Sequence, residues 1–281
     1  IQDTPPDEDD AFHAELELSH GLEDDPGLWL PLGQDLVGAA DRVQKGSQSH
    51  GLGQGFEFYD DNLAGGHATI RWKEWEGQRV QGAFDRRGDV TTDKAIAWLR
   101  DQRDPEQPFF MFVHYFDPHD PYAPPRQYRG RFPNDSLESP VHRQQVSNYD
   151  GEIAFTDDEI RRLCASLDEL GLADDTLVII TGDHGEGLWQ RGYQYHGAHI
   201  YDEAIHVPLL VRWPGVVDGG GVFEEPVTLA DVLPTLAEII GLPIERADMQ
   251  GRSLARTLLD GRPPRELPVF YYRIPYEPHE E

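Results

Sequence analysis

A carboxylate and an imidazole stand side by side in the second half of the chain, directly after a strand-like apolar run. Residues 177–180 are all large and apolar, and Asp183 and His184 follow them between Gly182 and Gly185. An aspartate oxygen and a histidine nitrogen offered from one tight turn can ligate a metal ion, and the glycines permit the backbone geometry. A glycine-rich turn whose aspartate caps a helix would explain the same pattern. The apolar run before the pair and a further histidine after it favour the metal site.

Two further histidines are candidates for acid–base or anion-binding chemistry. His196 lies in the next segment, and a protonated imidazole both donates hydrogen bonds and carries positive charge. His119 lies between Pro118 and Pro121, which restrict the backbone on both sides and pre-organise the side chain. The alternatives are a solvated loop histidine in the first case and a rigid proline turn in the second. We predict that both histidines are functional.

Apolar periodicity predicts the elements that position these residues. The predicted strands cover residues 109–115, 177–180, 207–213 and 268–272, and the predicted helices cover 90–100, 149–170 and 228–240. Since helix and strand alternate, we predict an α/β fold with a largely parallel central sheet and helices on both faces. Ligands of open α/β sheets bind outside the carboxyl ends of the strands, so the three site segments should converge there.

Length and charge bound the class of protein. For the 281 residues we predict an irregular segment over residues 1–35 and one α/β domain over 36–281. The 24 Lys and Arg against 52 Asp and Glu give a formal net charge of -28, which disfavours nucleic acid and anionic membranes as partners. The acidity fits either adaptation to high salt or a compositional bias of the genome. No apolar run approaches the roughly 18 residues of a membrane span, and we see no signal peptide in this chain. The single cysteine, Cys164, borders an apolar helical stripe and is interpreted as a packed helix residue.

Several segments, among them PFFMFVHYFDPHDPYAPP and TLVIITGDHGEG, resemble the sulfatase family of the alkaline phosphatase superfamily. The segments keep the family's order and cover residues 51–61, 108–125, 149–163, 176–187, 196–215 and 231–243. The resemblance implies an alkaline-phosphatase-like α/β/α sandwich, here incomplete. It also implies a sulfuric ester hydrolase that works at a divalent cation. Calcium is the usual cation of the family, with Mg²⁺, Mn²⁺ and Zn²⁺ as the alternatives.

The resemblance also implies roles for the four candidate residues. Asp183 and His184 fall on the two late metal ligands of the family. His119 falls on a histidine that contacts the sulfate group or the leaving-group oxygen, and His196 falls where many relatives place a lysine against the sulfate. The implied substrate is a small-molecule or carbohydrate sulfate ester. Family habit favours a secreted or periplasmic protein, and the oligomeric state is not indicated.

The chain departs from the family pattern at its start. Sulfatases open with a strand that carries two adjacent metal-binding aspartates, followed by Cys/Ser-x-Pro-x-Arg, whose first residue becomes the formylglycine nucleophile. Neither is identifiable here, and the acidic pairs at residues 9–10 and 60–61 follow no hydrophobic strand. We therefore expect this chain to represent the middle and late part of a sulfatase and to be inactive alone. Two alternatives remain: a phosphate or phosphonate ester hydrolase of the same superfamily, and a non-catalytic remnant.

Overall fold

The computed structural model describes residues 35–39, 53, 55–60, 86–243 and 250–271. The chain divides into two compact units, Ile1–Phe116 and Asp117–Glu281. The predicted boundary near residue 35 stays a prediction. None of the helices in the described ranges is long and apolar enough to cross a membrane.

Within its described residues, the first unit contains a parallel three-stranded sheet and one helix. Its elements are β1 (Asp35–Ala39), β2 (Phe58–Asp60), α1 (Gly88–Asp101) and β3 (Phe109–Val113), and the strand order is β2-β1-β3. The helix buries one face, and the Trp98 ring meets Phe109 edge-on with their centroids 6.0 Å apart. Strand β1 was not predicted from the sequence, and it begins at the end of the segment, residues 1–35, that was expected to be irregular.

Helix α1 confirms the helix predicted over residues 90–100 and begins two residues earlier. The helix begins after Arg87, so Thr91 and Thr92 lie inside it and are fully buried. Thr91 accepts a hydrogen bond from Arg86 Nε (3.1 Å), and Thr92 bonds the Tyr115 hydroxyl (2.9 Å). Both hydroxyls therefore satisfy partners inside the unit rather than capping the helix.

The second unit carries all four candidate residues. Its elements are α2 (Pro140–Glu169), β4 (Val178–Thr181), β5 (Gly187–Leu188), β6 (Gln194–Tyr195), α3 (Asp202–Ile205), β7 (Leu209–Arg212), α4 (Val232–Ile240) and α5 (Ala255–Asp260). Helix α2 starts earlier than predicted because Ser139 caps it and Pro140 occupies its first turn. It ends where predicted, before Gly171 at φ 68°.

A largely parallel central sheet is not shown by the described strands. Strands β4 and β7 pair antiparallel, with Val178 opposite Arg212, and β5 pairs antiparallel with β6. In the sheet of the first unit, β3 is an edge strand, and Phe110 and Phe112 are 42% and 52% exposed. An apolar run indicates burial but carries no information about the direction of its neighbours. The strand predicted over 268–272 does not form within residues 268–271.

Candidate functional site

The loop that joins β4 to β7 presents the predicted metal pair to solvent. Asp183 is 77% exposed at its side chain, and its Oδ1 accepts a hydrogen bond from the His184 backbone N–H (2.9 Å). Its other oxygen, Oδ2, lies 3.6 Å from His184 Nε2. The pair therefore offers one carboxylate oxygen and one imidazole nitrogen close together at the surface.

The contacts of His184 define which ring nitrogen is available. Its Nδ1 lies 2.8 Å from the Gly185 carbonyl oxygen, which can only accept, so the proton is assigned to Nδ1. The lone pair of the neutral ring is then on Nε2, beside Asp183. Histidines that ligate metals commonly donate their second N–H to a backbone carbonyl, and this arrangement has that form.

Gly185 allows this loop to lie against helix α3. Its N–H donates to the Ala204 carbonyl (2.8 Å), and a Cβ on Gly185 would lie 3.0 Å from the Glu203 carbonyl carbon and closer still to its oxygen. Neither Gly182 nor Gly185 has a positive φ. The glycine beside His184 is therefore required by close approach and not by a left-handed backbone.

A short hairpin brings His196 onto His184. Strands β5 and β6 pair Gly187 with Tyr195, which returns the chain to the start of the loop. The His184 and His196 rings are stacked, with centroids 3.6 Å apart and planes inclined by 29°. Two histidines separated along the sequence thus meet as predicted.

His196 is anchored by a buried carboxylate that the sequence analysis did not identify. Its Nδ1 lies 3.2 Å from Glu186 Oε1, and the Glu186 side chain is only 9% exposed. The other oxygen, Oε2, accepts a hydrogen bond from the Tyr122 hydroxyl (2.9 Å). Burial and then the Glu186 carboxylate raise the pKa of Tyr122 far above its ordinary value, so the phenol stays protonated and remains the donor.

His119 lies at the start of the segment that ends in Tyr122. Its Nδ1 is 2.7 Å from the Asp120 carbonyl oxygen, and its backbone N–H donates to Glu152 Oε2 (3.3 Å). Burial raises the pKa of the Asp120 carboxyl, His119 lowers it in part, and Glu186 raises it further. Asp120 and Tyr122 therefore couple the His119 segment to the carboxylate that anchors His196.

The four predicted residues are connected partly by direct contacts and partly through other side chains. Asp183, His184 and His196 are in direct or stacked contact, and His119 connects to them through Tyr122 and Glu186. Glu186 and Tyr122 are the site residues missed from the sequence. The only signal was their position, Glu186 two residues after His184 and Tyr122 at the end of the proline-bounded turn.

The donor set fits one part of a cation site. Asp183 Oδ2 and His184 Nε2 are two suitable donors, and the tautomer of His184 is the one a ligand needs. Within the described ranges, no group of three or more His, Cys, Asp or Glu side chains is arranged to hold a metal ion. Asp60, half of one acidic pair considered above, is buried in the first unit and forms ion pairs with Arg86 (3.3 Å) and Lys94.

The chain is similar to known proteins in both sequence and fold. The steryl-sulfatase of Rattus norvegicus is 34% identical over 176 residues, which are 58% of this chain and 28% of that protein. A protein solved with its substrate D-glucosamine-2-N,6-O-disulfate matches 90% of this chain and 68% of its own, at 19% identity and a TM-score of 0.68. A phosphonate monoester hydrolase from Silicibacter pomeroyi matches 71% of this chain and 46% of its own, at 26% identity and a TM-score of 0.52.

The chain spans 26 to 43% of the length of eight curated relatives that it matches. The structural matches confirm an alkaline-phosphatase-like α/β fold. The family profile named Sulfatase matches residues 43–242, most of the chain and all four candidate residues. The chain belongs to the sulfatase family of the alkaline phosphatase superfamily.

Proposed function

We propose that this chain forms part of the active site of a sulfuric ester hydrolase that works at a divalent cation. The observation that carries the proposal is the stacking of His184 on His196 at 3.6 Å, with Asp183 beside one ring and Glu186 beside the other. This arrangement places a candidate ligand pair directly against a candidate anion contact. Family membership supports the ester chemistry, and the geometry supports the proposed roles.

Asp183 and His184 would hold the cation, with Ca²⁺ as the first expectation. Their donors, Oδ2 and Nε2, are adjacent and exposed, and further ligands would come from water or from residues outside the described ranges. When bound, the cation stabilises negative charge on the sulfate oxygens. A protein with a formal net charge of -28 needs such a local reversal of sign to attract an anion.

His196 would supply a second local positive charge. With Nδ1 turned to the buried Glu186 carboxylate, the imidazolium form has its remaining N–H at Nε2 for a sulfate oxygen. Glu186 thus orients the ring and compensates the charge that the ring carries when it binds an anion.

His119 would protonate the leaving oxygen. Its Nδ1 proton is directed at the Asp120 carbonyl, so proton exchange with a substrate takes place at Nε2. Proton donation matters most when the leaving group is a sugar or alkyl oxygen, because such alkoxides are strongly basic. A carbohydrate or small-molecule sulfate ester is therefore the substrate class that uses this residue most fully.

A phosphate or phosphonate ester hydrolase is the second candidate. It is favoured by the Asp183–His184 pair, where many sulfatases have Asp-Asn, and by the similarity to a phosphonate monoester hydrolase. Both candidates use a bound cation and an anchored proton donor, so the preferred ester distinguishes them.

The test compares esters on the full-length gene product, with Ca²⁺ or Mn²⁺ added. The sulfatase proposal expects turnover of 4-nitrophenyl sulfate to exceed that of 4-nitrophenyl phosphate and phenyl phosphonate esters. Asp183→Ala and His119→Ala should each lower turnover by at least about a hundredfold, as lost catalytic groups commonly do. Asp231→Asn, remote along the chain from all four candidate residues, serves as the matched control. A preference for the phosphorus esters supports the second candidate, and no turnover of either ester rejects both.

A further inference from the structure

Three side chains of helix α2 hold the segment that carries His119. Asn148, Glu152 and Thr156 are spaced one turn apart, so they lie along one line of the helix. Each bonds the backbone of the segment that begins at the first residue of the second unit. A single line of polar side chains thus contacts the chain on either side of the candidate proton donor.

Glu152 makes the central contacts of this line. Its Oε1 accepts from the Ala123 N–H at 2.5 Å, and its Oε2 accepts from the His119 N–H at 3.3 Å. The residue is 4% exposed, so both bonds are made by a carboxylate shielded from water. Hydrogen bonds to a buried charged acceptor are stronger than neutral ones. One carboxylate therefore spans the two ends of the turn that carries His119.

The two outer side chains, Asn148 and Thr156, donate hydrogen bonds to the same segment, whereas Glu152 accepts them. Asn148 Nδ2 donates to the Tyr122 carbonyl (3.1 Å), and Thr156 Oγ1 donates to the Asp117 carbonyl (3.3 Å). Donors at the ends of the line and an acceptor at its centre match the alternation of carbonyl and N–H groups they meet. If the segment shifted along the helix, donors would face donors and acceptors would face acceptors.

Gly151 allows the helix to approach this closely. A Cβ at this position would lie 3.0 Å from Pro124 Cγ and 3.1 Å from the Tyr128 carbonyl oxygen. The glycine precedes Glu152, and Pro124 follows Ala123, so this close approach lies next to the contact of the carboxylate with Ala123. A residue without a side chain at Gly151 and a buried carboxylate at Glu152 together indicate a specific contact between the helix and this segment.

We propose that Glu152 is a positioning residue for His119, holding the turn from His119 to Ala123 so that the imidazole stands at a fixed place in the site. Because Tyr122 lies within the held turn, the same contact also places the hydroxyl that bonds Glu186. The proposal rests on the role given to His119 in the proposed function. It adds a residue that touches neither the substrate nor the cation.

The first test measures local order in the chain itself. Glu152→Gln replaces one acceptor oxygen by an NH₂ group, which faces a backbone N–H and cannot accept from it. Amide hydrogen exchange should become faster by at least about tenfold at whichever of the Ala123 and His119 N–H groups loses its acceptor. Asp231→Asn is the control, since Asp231 is also buried and accepts from two backbone N–H groups, those of Thr228 (3.0 Å) and Arg252 (2.8 Å). It should speed exchange at its own partners and leave Ala123 unchanged.

The second test separates positioning from a general loss of structure. Glu152→Gln should lower kcat for both phenyl sulfate and 4-nitrophenyl sulfate in the full-length gene product. The fold-loss for phenyl sulfate should be at least about ten times larger than the fold-loss for 4-nitrophenyl sulfate. The nitrophenolate leaves with little help, whereas phenolate depends more on proton donation. Asp231→Asn should lower both rates by one common factor. Equal factors for the two esters in Glu152→Gln would overturn the proposal.

The two tests also separate this proposal from the function on which it rests. If the wild-type protein hydrolyses no sulfate ester, the proposed function fails, and the exchange measurement alone decides the hold on the turn. Unchanged exchange at both Ala123 and His119 in Glu152→Gln overturns that hold. Should this variant fail to fold, Asn148→Ala keeps the carboxylate and removes one outer bond. In this variant, the fold-loss of kcat for phenyl sulfate divided by the fold-loss for 4-nitrophenyl sulfate should be below about ten but measurably above the same ratio in Asp231→Asn. A ratio equal to that of Asp231→Asn overturns the proposal.

Discussion

Gly185→Ala tests whether close packing of the site loop on helix α3 positions His184. The added methyl would lie 3.0 Å from the Glu203 carbonyl carbon, nearer to the carbonyl oxygen, and 3.3 Å from the Ala204 carbonyl carbon. These neighbours are backbone atoms, which cannot swing aside as a flexible side chain would. Either the loop or the short helix must move.

The cost follows from two contributions. Separation of the loop from the helix lengthens the bond from the Gly185 N–H to the Ala204 carbonyl, now 2.8 Å, and a lost backbone hydrogen bond costs about 1 kcal/mol. Forced repacking of a filled site costs about 1–3 kcal/mol. Gly185→Ala should therefore lower the free energy of unfolding by about 2–4 kcal/mol. It should also disturb His184, whose Nδ1 bonds the Gly185 carbonyl at 2.8 Å.

Gly182→Ala is the matched control on the other side of Asp183 and His184. A Cβ there would lie 3.6 Å from Val207 Cβ and from the His184 carbonyl oxygen, which are ordinary contact distances. Its φ is not positive, so alanine fits, and the variant should be unchanged or about 0.4–1 kcal/mol more stable. Urea unfolding followed by tryptophan fluorescence measures both variants. Equal effects of the two substitutions would refute the packing argument.

Two further predictions concern the buried network around Glu186. Tyr122→Phe removes a donor to this carboxylate and should cost about 1.5–3 kcal/mol in urea unfolding. Tyr128→Phe should cost less, because its acceptor Asp158 is 35% exposed and keeps an ion pair; a larger loss in Tyr128→Phe would contradict this. Asp120→Asn should stabilise the protein at pH 7, since burial raises the pKa of that carboxyl and the folded state disfavours its charge. The Asp120 carboxyl binds its proton more tightly in the folded state than in the unfolded chain. The free energy of unfolding of the wild-type protein therefore falls as the pH rises from the ordinary pKa of 3.8 through the folded-state pKa. Unfolding curves measured from below pH 3.8 up to pH 8 should show the gain vanish at the acid end. A gain that does not change with pH would count against the assignment.

The location of the site could be predicted from sequence because two strong signals coincide. The apolar run before Asp183 and His184 fixes a strand end, confirmed as β4, and glycines on both sides mark a tight turn. The meeting of His184 with His196 was harder to predict. It depends on a hairpin of two-residue strands, in which Trp189 and Tyr195 adopt positive φ values of 70° and 74°. Aromatic residues rarely take that conformation, so no local preference indicates the turn.

The supporting carboxylates could not be predicted for a different reason. Glu186 and Glu152 are two among 52 acidic residues, and the great majority of acids in any protein are solvated. Only the structure shows that these two are buried and accept hydrogen bonds from the site segments. The one-turn spacing of Asn148, Glu152 and Thr156 was visible in the sequence. Without the position of the facing segment, however, the same spacing describes the polar face of any helix.

The four candidate residues divide into two kinds, and the division follows their chemistry. Asp183 and His184 are exposed, with Oδ2 and Nε2 turned toward each other, as donors for an incoming cation must be. His119 and His196 are instead held by buried carboxylates, His119 through its backbone at Glu152 and His196 through its ring at Glu186. A cation pulls its ligands into place by its own charge, so ligands tolerate mobility before it binds. A proton donor gains nothing comparable from a substrate until the bond to the leaving oxygen is breaking, so its position must be set by the protein beforehand. Under the proposed roles, Asn148, Glu152 and Thr156 would set the position of His119, the proton donor. The Tyr122–Glu186 pair would likewise set the position of His196, the anion contact.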